Sequence, residues 1–376
     1  MSRKIALKKL TLSDLTIFEY HLRQGKAGKQ KSINLNRDIF EKLFYPNLTA
    51  VAEENDWEPF ILNLTIFGPG NSPSQVLPQK IIKGGTYKNW RLNGKLIPTP
   101  DGDERYHLLD AGDYAIMEFI GAAWPTQMKM TLVAANHQED AGLHRALNRL
   151  YPTVSMRAME FAELEEVEKQ AGYELPTNHP FHDFLDTPFL ENAANGDINA
   201  LNILYQRRKG RGVSHEEFRK AKKAAEGIGR LGEYLLDQYL ADQVGKSISG
   251  YKWEANENAI ASYDFEIMAN GYSLFVDAKS TAGPHTNPIH ISLGELREMA
   301  WSKAEYRIYR LYEVMEGYAK VMISAPMATL ANSIINVGDR PLREFGATID
   351  SVSISPDKIE WTHGFVIDYQ DFDYTE

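Results

Sequence analysis

The sequence has no cysteine in its 376 residues, which excludes disulfides, zinc sites with cysteine ligands and thiol-based catalysis. It also has no unbroken apolar run of about eighteen residues, the length that a membrane-spanning helix needs, so we expect no membrane partner. The first ten residues are basic but lack a long apolar core and a cleavage site. We therefore predict no signal peptide and a cytoplasmic protein.

The charge of the chain is unevenly distributed. Hydrophobic residues make up 43% and charged residues 24%, which is typical of a globular protein long enough for more than one core. The net charge is −10, yet residues 1–100 carry 15 Lys and Arg against 8 Asp and Glu, whereas the remainder carries 26 against 43. Positive charge concentrated in one part predicts that this part binds a polyanion.

Residues 1–136 show mostly β patterns. Their clearest apolar runs lie at 59–67, 114–122 and 129–135, with loops rich in Gly, Pro and Asp between them. Many short strands with such punctuation predict a small barrel or sandwich.

Two segments of this region, residues 23–37 and 83–95, mix basic with amide and aromatic side chains. Lys and Arg can neutralise phosphates, and Asn, Gln and Arg can form bidentate bonds with base edges. The candidate DNA-binding residues are Lys26, Lys29, Gln30, Lys31, Asn34, Asn36, Arg37, Tyr87, Lys88, Asn89, Trp90, Arg91 and Lys95. For either segment alone, a solvated loop is the alternative.

The order of these segments resembles the N-terminal DNA-binding domain of EcoRII-like restriction endonucleases. The similarity covers about residues 5–135 and includes the stretches KQKSINLNRDIF, YKNWRLNGKLI and LLDAGDYAIMEF. The resemblance implies a pseudobarrel fold that is shared with a plant transcription-factor domain. It also implies that residues 23–37 and 83–95 are two arms that enter the major groove.

Residues 137–208 are predicted to form a helical, acidic connector. The stretch AMEFAELEEVEKQ has apolar residues at helical spacing and glutamates on the remaining face. A His/Asp cluster follows, consisting of His179, His182, Asp183 and Asp186. Prolines flank this cluster and a second ligand group is missing, so we interpret it as a loop with capping and packing roles rather than a metal site.

The stretch from residue 263 to residue 281 predicts a β-hairpin. Asn270-Gly271 favours a type I′ turn, and apolar, β-rich runs flank it. A two-residue turn fixes the register, so Asp264 is expected opposite Asp277 with about 5 Å between their Cβ atoms. Lys279 is expected on the same face as Asp277.

Like charges that face each other on a sheet are destabilising, so this register predicts a cation between the carboxylates. Mg²⁺ is the natural candidate because one or two carboxylates and several waters commonly hold it; Mn²⁺ can substitute. Asp264 followed by Asp277-Ala278-Lys279 resembles the PD-(D/E)xK nuclease motif, with Tyr263 in place of the proline. The alternative is ordinary surface charge, because D-x-K is common on strands.

Further motifs surround the hairpin. Ser214 with Glu217, and Ser292 with Glu295, have the spacing of capping boxes and predict helix starts. Glycines between residues 227 and 232 predict a break before a separate helix that carries Glu233. Strand-like runs such as YRIYRLYEV predict a mixed sheet with helices in residues 209–376.

This order resembles Mrr-like nuclease domains and the C-terminal domain of the plant NO VEIN family, over about residues 210–330. The resemblance implies an α/β PD-(D/E)xK restriction-endonuclease-like fold, and a metal site of Asp264 and Asp277 that Glu233 completes. Lys279 would orient or deprotonate the attacking water, or contact the phosphate.

Together these expectations describe two domains joined by a connector, with limits 1–136, 137–208 and 209–376. The predicted function is a sequence-specific, Mg²⁺-dependent type II-like restriction endonuclease of phage defence, acting on double-stranded DNA as a homodimer. Two alternatives stay open: a modification-dependent nuclease that reads methylated DNA, and a DNA-binding regulator whose nuclease fold is inert.

Overall fold

A computed structural model of the chain describes residues 3–28, 30–84, 88–121, 123–194, 197–208, 212–258, 261–269, 271–369 and 372. The predicted site residues Lys29 and Tyr87, and Asn270 of the predicted turn, lie outside the described residues. The chain divides into two compact units. The first comprises Arg3–Asp186 with Arg208, and the second comprises Thr187–Arg207 and the chain from Gly212 onward.

The first unit contains an eight-stranded sheet. Its strands are β1 (Lys4–Lys9), β2 (Ile33–Leu35), β3 (Phe60–Phe67), β4 (Gln75–Ile82), β5 (Trp90–Gly94), β6 (Tyr114–Ile120), β7 (Gln127–Val133) and β8 (Met156–Ala158). Its α-helices are α1 (Leu12–Leu15), α2 (Glu19–Gln24), α3 (Arg37–Ile39), α4 (Leu48–Glu54), α5 (Ala141–Leu150) and α6 (Phe161–Ala171). Short 3₁₀ or π turns span Phe40–Phe44, Arg105–Leu108 and Gly172–Glu174. The division between the units falls within α7 (His182–Ala194).

This sheet has the order β2-β5-β4-β3-β7-β6-β1-β8 and is nearly closed into a barrel. The pairs are antiparallel except β3 with β7, which is parallel. At the open seam the Asn36 N–H donates to Met156 Sδ at 3.1 Å, which brings the chain after β2 to β8. One core fills the interior of the barrel, and a second lies between the sheet and α5 and α6.

The three predicted apolar runs form β3, β6 and β7, as expected. The prediction of mostly β structure missed the helices α1–α4. Each is at most seven residues long, so its sequence shows little helical periodicity. Within 137–208 the structure has helices and also β8, which pairs with β1. The predicted domain limits themselves stay a prediction.

The second unit contains a six-stranded and a two-stranded sheet. Its strands are β9 (Gly250–Trp253), β10 (Phe265–Ala269), β11 (Tyr272–Ser280), β12 (Ile289–Ser292), β13 (Glu305–Met315), β14 (Tyr318–Ser324), β15 (Ser351–Ile354) and β16 (Trp361–Asp368). Its α-helices are α8 (Ile198–Arg207), α9 (His215–Gln243), α10 (Glu254–Glu257), α11 (Leu293–Trp301), α12 (Ala328–Ile334) and α13 (Arg340–Glu344). Single turns of other helix types span Ile335–Asp339 and Pro356–Lys358.

The six-stranded sheet has the order β16-β14-β13-β11-β10-β9, and β11 and β13 are its parallel pair. The hairpin register is confirmed, because Phe265 pairs with Val276 and Ala269 with Tyr272. Gly271 has φ of +79°, the left-handed conformation that the predicted turn requires. α9 covers one face of this sheet, and α11, α12 and the β12–β15 pair cover the other.

The predicted break at residues 227–232 is wrong, because α9 continues as one helix of 29 residues. Each helical glycine costs up to about 1 kcal/mol, but burial of Leu231 and Leu235 against the sheet offsets this. Gly232 has a packing role: a Cβ there would lie 1.9 Å from Ser280 Oγ. Both predicted capping boxes are confirmed at the starts of α9 and α11. Among the described helices, none is both long and apolar enough to cross a membrane.

Candidate active site

The two predicted acids lie at neighbouring strand positions and are held by the backbone of the hairpin. Asp264 directly precedes β10, and its N–H donates to Val276 O at 2.9 Å. Its side chain folds onto the opposite strand, where Oδ2 accepts from the Ala278 N–H at 2.7 Å. Asp277 lies on β11 and is only 2% exposed. The hairpin thus brings the half-buried carboxyl group of Asp264 next to the buried one of Asp277, as the register predicted.

Lys279 lies between two carboxylates. Its Nζ is 3.0 Å from Asp277 Oδ2 and 3.0 Å from Glu295 Oε1. The other oxygen of Glu295, Oε2, accepts from the Ser292 N–H at 2.7 Å in the capping box of α11. Glu295 therefore caps a helix and pairs with the lysine at once.

The sequence analysis identified Glu295 only as a capping residue and missed its place in this site. The sequence offered no local signal for this contact, because it depends on how α11 packs after β12.

Burial and neighbouring charges shift the pKa values of Asp277, Asp264 and Lys279. Burial raises the pKa of Asp277 well above its ordinary value, and the charges of Glu295 and Asp264 add to the rise against the opposing effect of the Lys279 ammonium. Burial likewise raises the pKa of Asp264. Burial alone would lower the pKa of Lys279, but the surrounding carboxylates raise it above its ordinary value. The buried Asp277 and the partly buried Asp264 and Glu295 thus all act on the partly buried ammonium of Lys279.

Glu233 on α9 belongs to the same electrostatic cluster. Burial, followed by the charge of Asp264, raises its pKa to about 7, and the charge of Lys279 partly opposes the rise. The side chain is half-buried. Gly232 allows α9 to pack directly on Ser280, one residue beyond Lys279, and this close approach places Glu233 near the end of the hairpin.

Aromatic residues fix the chain that leads into Asp264. The hydroxyl of Tyr306, which is 2% exposed, donates to Ser262 O at 2.6 Å. The ring of Tyr263 stacks on Phe275 with centroids 4.0 Å apart and planes 6° from parallel. Asp264 is therefore positioned by contacts of the two residues that precede it.

The carboxylates of the site are possible ligands for a divalent cation. Within the described part of the chain, no three His, Asp or Glu side chains converge in a way that could hold a metal ion. The acidic pair nevertheless has suitable chemistry, because a hard cation such as Mg²⁺ often takes one or two carboxylates and keeps its waters. Asp277 Oδ2 is buried and, apart from its ion pair with Lys279, receives no well-aligned hydrogen bond from the described residues.

The two basic segments of the first unit meet at one edge of its sheet. β2 and β5 pair antiparallel, and Asn34 lies opposite Arg91. At one end of this ribbon, Asn93 Nδ2 donates to Lys31 O at 3.3 Å. At the other end, the Arg37 N–H donates to Asn89 Oδ1 at 3.2 Å. The two predicted arms are thus adjacent strands with their flanking turns.

The predicted DNA contacts differ in exposure. The exposed ones are Lys26, Lys31, Lys88 and Lys95, and the half-buried ones are Gln30, Asn34, Asn36, Arg37, Asn89 and Arg91. Several of these side chains hold the fold: Asn36 Oδ1 accepts from Asp38 N–H at 2.8 Å, and Arg37 Nε lies 3.1 Å from Glu41 Oε1.

The prediction that Trp90 contacts DNA needs correction. Its side chain is a core residue, and the residue is 2% exposed. The indole N–H donates to Glu41 Oε2 at 3.0 Å, and the ring stacks on Trp57. Strand alternation turns Trp90 and Leu92 inward, so the indole has no surface to offer to a base.

The His/Asp cluster is part of the packing of the first unit. His179 and Asp140 are both fully buried, and His179 Nε2 lies 2.8 Å from Asp140 Oδ1. Asp140 also accepts from the N–H groups of Gly70 and Ala134. Asp186 forms a buried ion pair with Arg208 at 2.7 Å. The polar atoms of His179, Asp140, Asp186 and Arg208 thus have hydrogen-bond or ion-pair partners inside the protein.

Comparison with known proteins identifies one segment of the second unit. Residues 232–323 match the family model described as Protein NO VEIN, C-terminal. The match covers about a quarter of the chain and contains Glu233, Asp264, Asp277, Lys279 and Glu295. This part of the chain is thus similar to the C-terminal domain of NO VEIN proteins, as the sequence analysis predicted. The comparison with curated proteins returned no significant match.

Proposed function

We propose that this chain is a Mg²⁺-dependent endonuclease that hydrolyses phosphodiester bonds in double-stranded DNA. The observation that carries the proposal is the convergence of Asp264, Asp277 and Lys279 at the end of one hairpin, in the order of the PD-(D/E)xK motif. The similarity of residues 232–323 to the NO VEIN C-terminal domain supports it. On this view the six-stranded sheet with α9 and α11 is a PD-(D/E)xK fold.

Asp264 and Asp277 would hold the Mg²⁺, and Glu233 would contribute directly or through water; Mn²⁺ would substitute. When bound, such an ion supplies Lewis acidity and offsets negative charge on the phosphate. The chain itself keeps the two acids close together through the hydrogen bond from Ala278 N–H to Asp264 and through the burial of Asp277. Because the two carboxylates are already held in place, binding of the ion would not have to order them.

Lys279 would act as a cation rather than as a base. Its pKa lies above the ordinary value of lysine because of the carboxylates around it, so its ammonium stays protonated at neutral pH. A protonated ammonium can stabilise charge that develops on a phosphate oxygen, whereas it cannot take a proton from water. A protonated Lys279 would therefore orient the attacking water or contact the phosphate.

The first unit would locate the DNA in the manner of EcoRII-like pseudobarrels. Its nearly closed sheet and the basic ribbon of β2 and β5 support this part of the proposal. Exposed Lys31, Lys88 and Lys95 lie at the ends of the ribbon, where they can reach phosphates on either side of a groove. Cutting both strands at once would need two hairpins, hence a homodimer on DNA, in restriction and phage defence.

The test is a plasmid cleavage assay with the full chain. Supercoiled plasmid is incubated with wild type, Asp264→Asn and the control Asp357→Asn, each with Mg²⁺ or with EDTA. Asp357 is an exposed residue paired with Lys358, so its substitution should be silent. We expect Mg²⁺-dependent cutting by wild type and the control and none by Asp264→Asn. Methylated and unmethylated plasmids in parallel separate a modification-dependent nuclease from a conventional one.

A second candidate is a DNA-binding regulator with an inert nuclease fold. One observation favours it: the Lys279 ammonium already compensates the charges of Asp277 and Glu295. Wild type that binds duplex DNA but leaves plasmid intact in Mg²⁺ and in Mn²⁺ would support this candidate over the nuclease.

A further inference from the structure

Arg310 on β13 is a buried cation without an acidic partner. It is 3% exposed, and within the described residues its guanidinium forms no ion pair with a carboxylate. Its guanidinium donates instead to two backbone carbonyls, Nη1 to Lys279 O at 3.1 Å and Nη2 to Asn287 O at 3.0 Å. Nε is buried without an acceptor. Burial lowers the pKa of Arg310 to about 10.

Burying a charged group without a counter-charge is costly, so a benefit elsewhere has to offset it. The two carbonyls show what that benefit is. Lys279 is the next-to-last residue of β11, and Asn287 lies two residues before β12, which leads straight to Glu295 at the start of α11. The Arg310 guanidinium therefore links β11, which carries Lys279, to the segment that leads to Glu295.

Other contacts share in fixing this distance. Lys279 pairs with Glu295 itself at 3.0 Å, and the start of the loop at 281–288 is bonded to β13, where the Thr281 N–H donates to Leu311 O at 2.9 Å and the Glu313 N–H donates to Gly283 O at 2.9 Å. β12 pairs with β15 in a separate two-stranded sheet and forms no ladder with β11. Within the loop at 281–288, Thr281 Oγ1 accepts from the Gly283 N–H at 3.1 Å and from Asn287 Nδ2 at 3.3 Å. These bonds shape the loop, whereas the Arg310 guanidinium fastens its far end to the strand.

We propose that Arg310 is a positioning residue that holds the loop at 281–288 against β11, so that Lys279 stays between Asp277 and Glu295. The role in cleavage rests on the proposed nuclease function; the role in fixing the loop does not. Arg310 acts through the backbone of Lys279 and Asn287 and touches no reacting atom.

The test compares Arg310→Gln and Arg310→Lys with the control Arg307→Gln in the full chain. Arg307 lies on the same strand, where Nη1 donates to Ser324 O at 2.8 Å, away from the loop. Three quantities are measured for each: hydrogen–deuterium exchange of residues 281–288, the dissociation constant for duplex DNA, and the cleavage rate at saturating DNA.

We expect faster exchange in Arg310→Gln, unchanged DNA affinity, and a cleavage rate lower by about tenfold to a hundredfold, since small displacements of a catalytic group have effects of this size. Arg310→Lys should be intermediate, because an ammonium can replace only part of the bridge. The Arg307→Gln control should match wild type in all three measurements.

Wild-type exchange at 281–288 in a folded Arg310→Gln protein would overturn the proposal, as would an unchanged cleavage rate. Loss of cooperative unfolding in both Arg310 variants would also overturn it, because the residue would then support the whole unit rather than the site. If wild type does not cleave, the proposed function fails, and the exchange measurement alone decides whether Arg310 fixes the loop.

Discussion

The ammonium nitrogen of Lys279 lies 3.0 Å from a carboxylate oxygen of Glu295, a residue sixteen positions further along the chain. That contact joins the strand of the candidate motif to the capping box of the next long helix. If Asp277 binds a metal ion, Lys279 still has Glu295 as an ion-pair partner. Glu295 therefore contributes directly to holding the lysine in the site.

Replacing Glu295 with glutamine should separate its two roles. Gln can still serve in the capping box, so the free energy of unfolding should change by less than about 1 kcal/mol. It cannot pair with the ammonium as a charge, so cleavage should fall by about tenfold or more. Glu217→Gln is the matched control, since Glu217 fills the same capping position on α9. Equal cleavage by wild type and Glu295→Gln would show that the contact with Lys279 is incidental.

Stability without divalent metal should depend on pH through Glu233. Its folded pKa of about 7 lies above the ordinary 4.5, so the folded state binds the extra proton and stability declines as pH rises across this window. The buried Asp264 and Asp277 add a slope of the same sign. Glu233→Gln should flatten the decline and be more stable than wild type at pH 8, by about 1–3 kcal/mol.

Urea unfolding at pH 5 and pH 8 in the presence of EDTA measures this effect. A wild-type protein as stable at pH 8 as at pH 5 would contradict the raised pKa of Glu233, and so would a Glu233→Gln variant that keeps the full decline.

Gly232 and Gly229 offer a matched pair on one helix. A Cβ on Gly232 would meet Ser280 Oγ at 1.9 Å, whereas nothing lies within 4 Å of a Cβ on Gly229. We expect Gly232→Ala to cost about 1–3 kcal/mol of unfolding free energy through overpacking, and Gly229→Ala to add up to about 1 kcal/mol through helix propensity. Chemical denaturation of both variants checks this. Similar effects from the two alanines would mean that α9 does not pack on β11 as closely as described.

The basic ribbon should contribute to DNA binding through phosphates. Lys31 and Lys95 are exposed at one end of it, so the double variant Lys31→Gln/Lys95→Gln should bind every duplex more weakly. The slope of log affinity against log salt should become shallower by about two. Lys169→Gln on α6, whose side chain is 80% exposed in the same unit, is the control. A double variant with the salt slope of wild type would place the DNA surface elsewhere.

Several of these features could be predicted from the sequence because they are local. A two-residue turn fixes the register of Asp264 and Asp277, and a three-residue spacing marks the capping box of Glu295. The second contact of Glu295 depends on how α11 packs after β12, which no local pattern encodes. Trp90 was misread for a similar reason: it lies in a polar, basic segment, but the barrel interior decides where its ring points.

The continuity of α9 could not be predicted from helix propensity alone, because it depends on tertiary packing. Glycines at 227, 229 and 232 lower the helix propensity of that stretch. Burial of the neighbouring leucines against the sheet offsets this free-energy cost. Arg310 had no signal at all, since one arginine in a strand-like run does not reveal that its partners are backbone carbonyls.

The most direct test of the central claim is the thermal melting of wild type and Asp277→Asn across a Mg²⁺ titration, run beside the cleavage assay. Wild type should gain stability as Mg²⁺ is added, because an ion that binds only the folded state stabilises it by mass action. Asp277→Asn should abolish cleavage, keep DNA binding and gain much less from Mg²⁺. Without metal it should be at least as stable as wild type, because burial disfavours the charged form of Asp277 and Glu295 still pairs with Lys279. Melting of wild type that ignores Mg²⁺, together with near-normal cleavage by Asp277→Asn, would contradict the account.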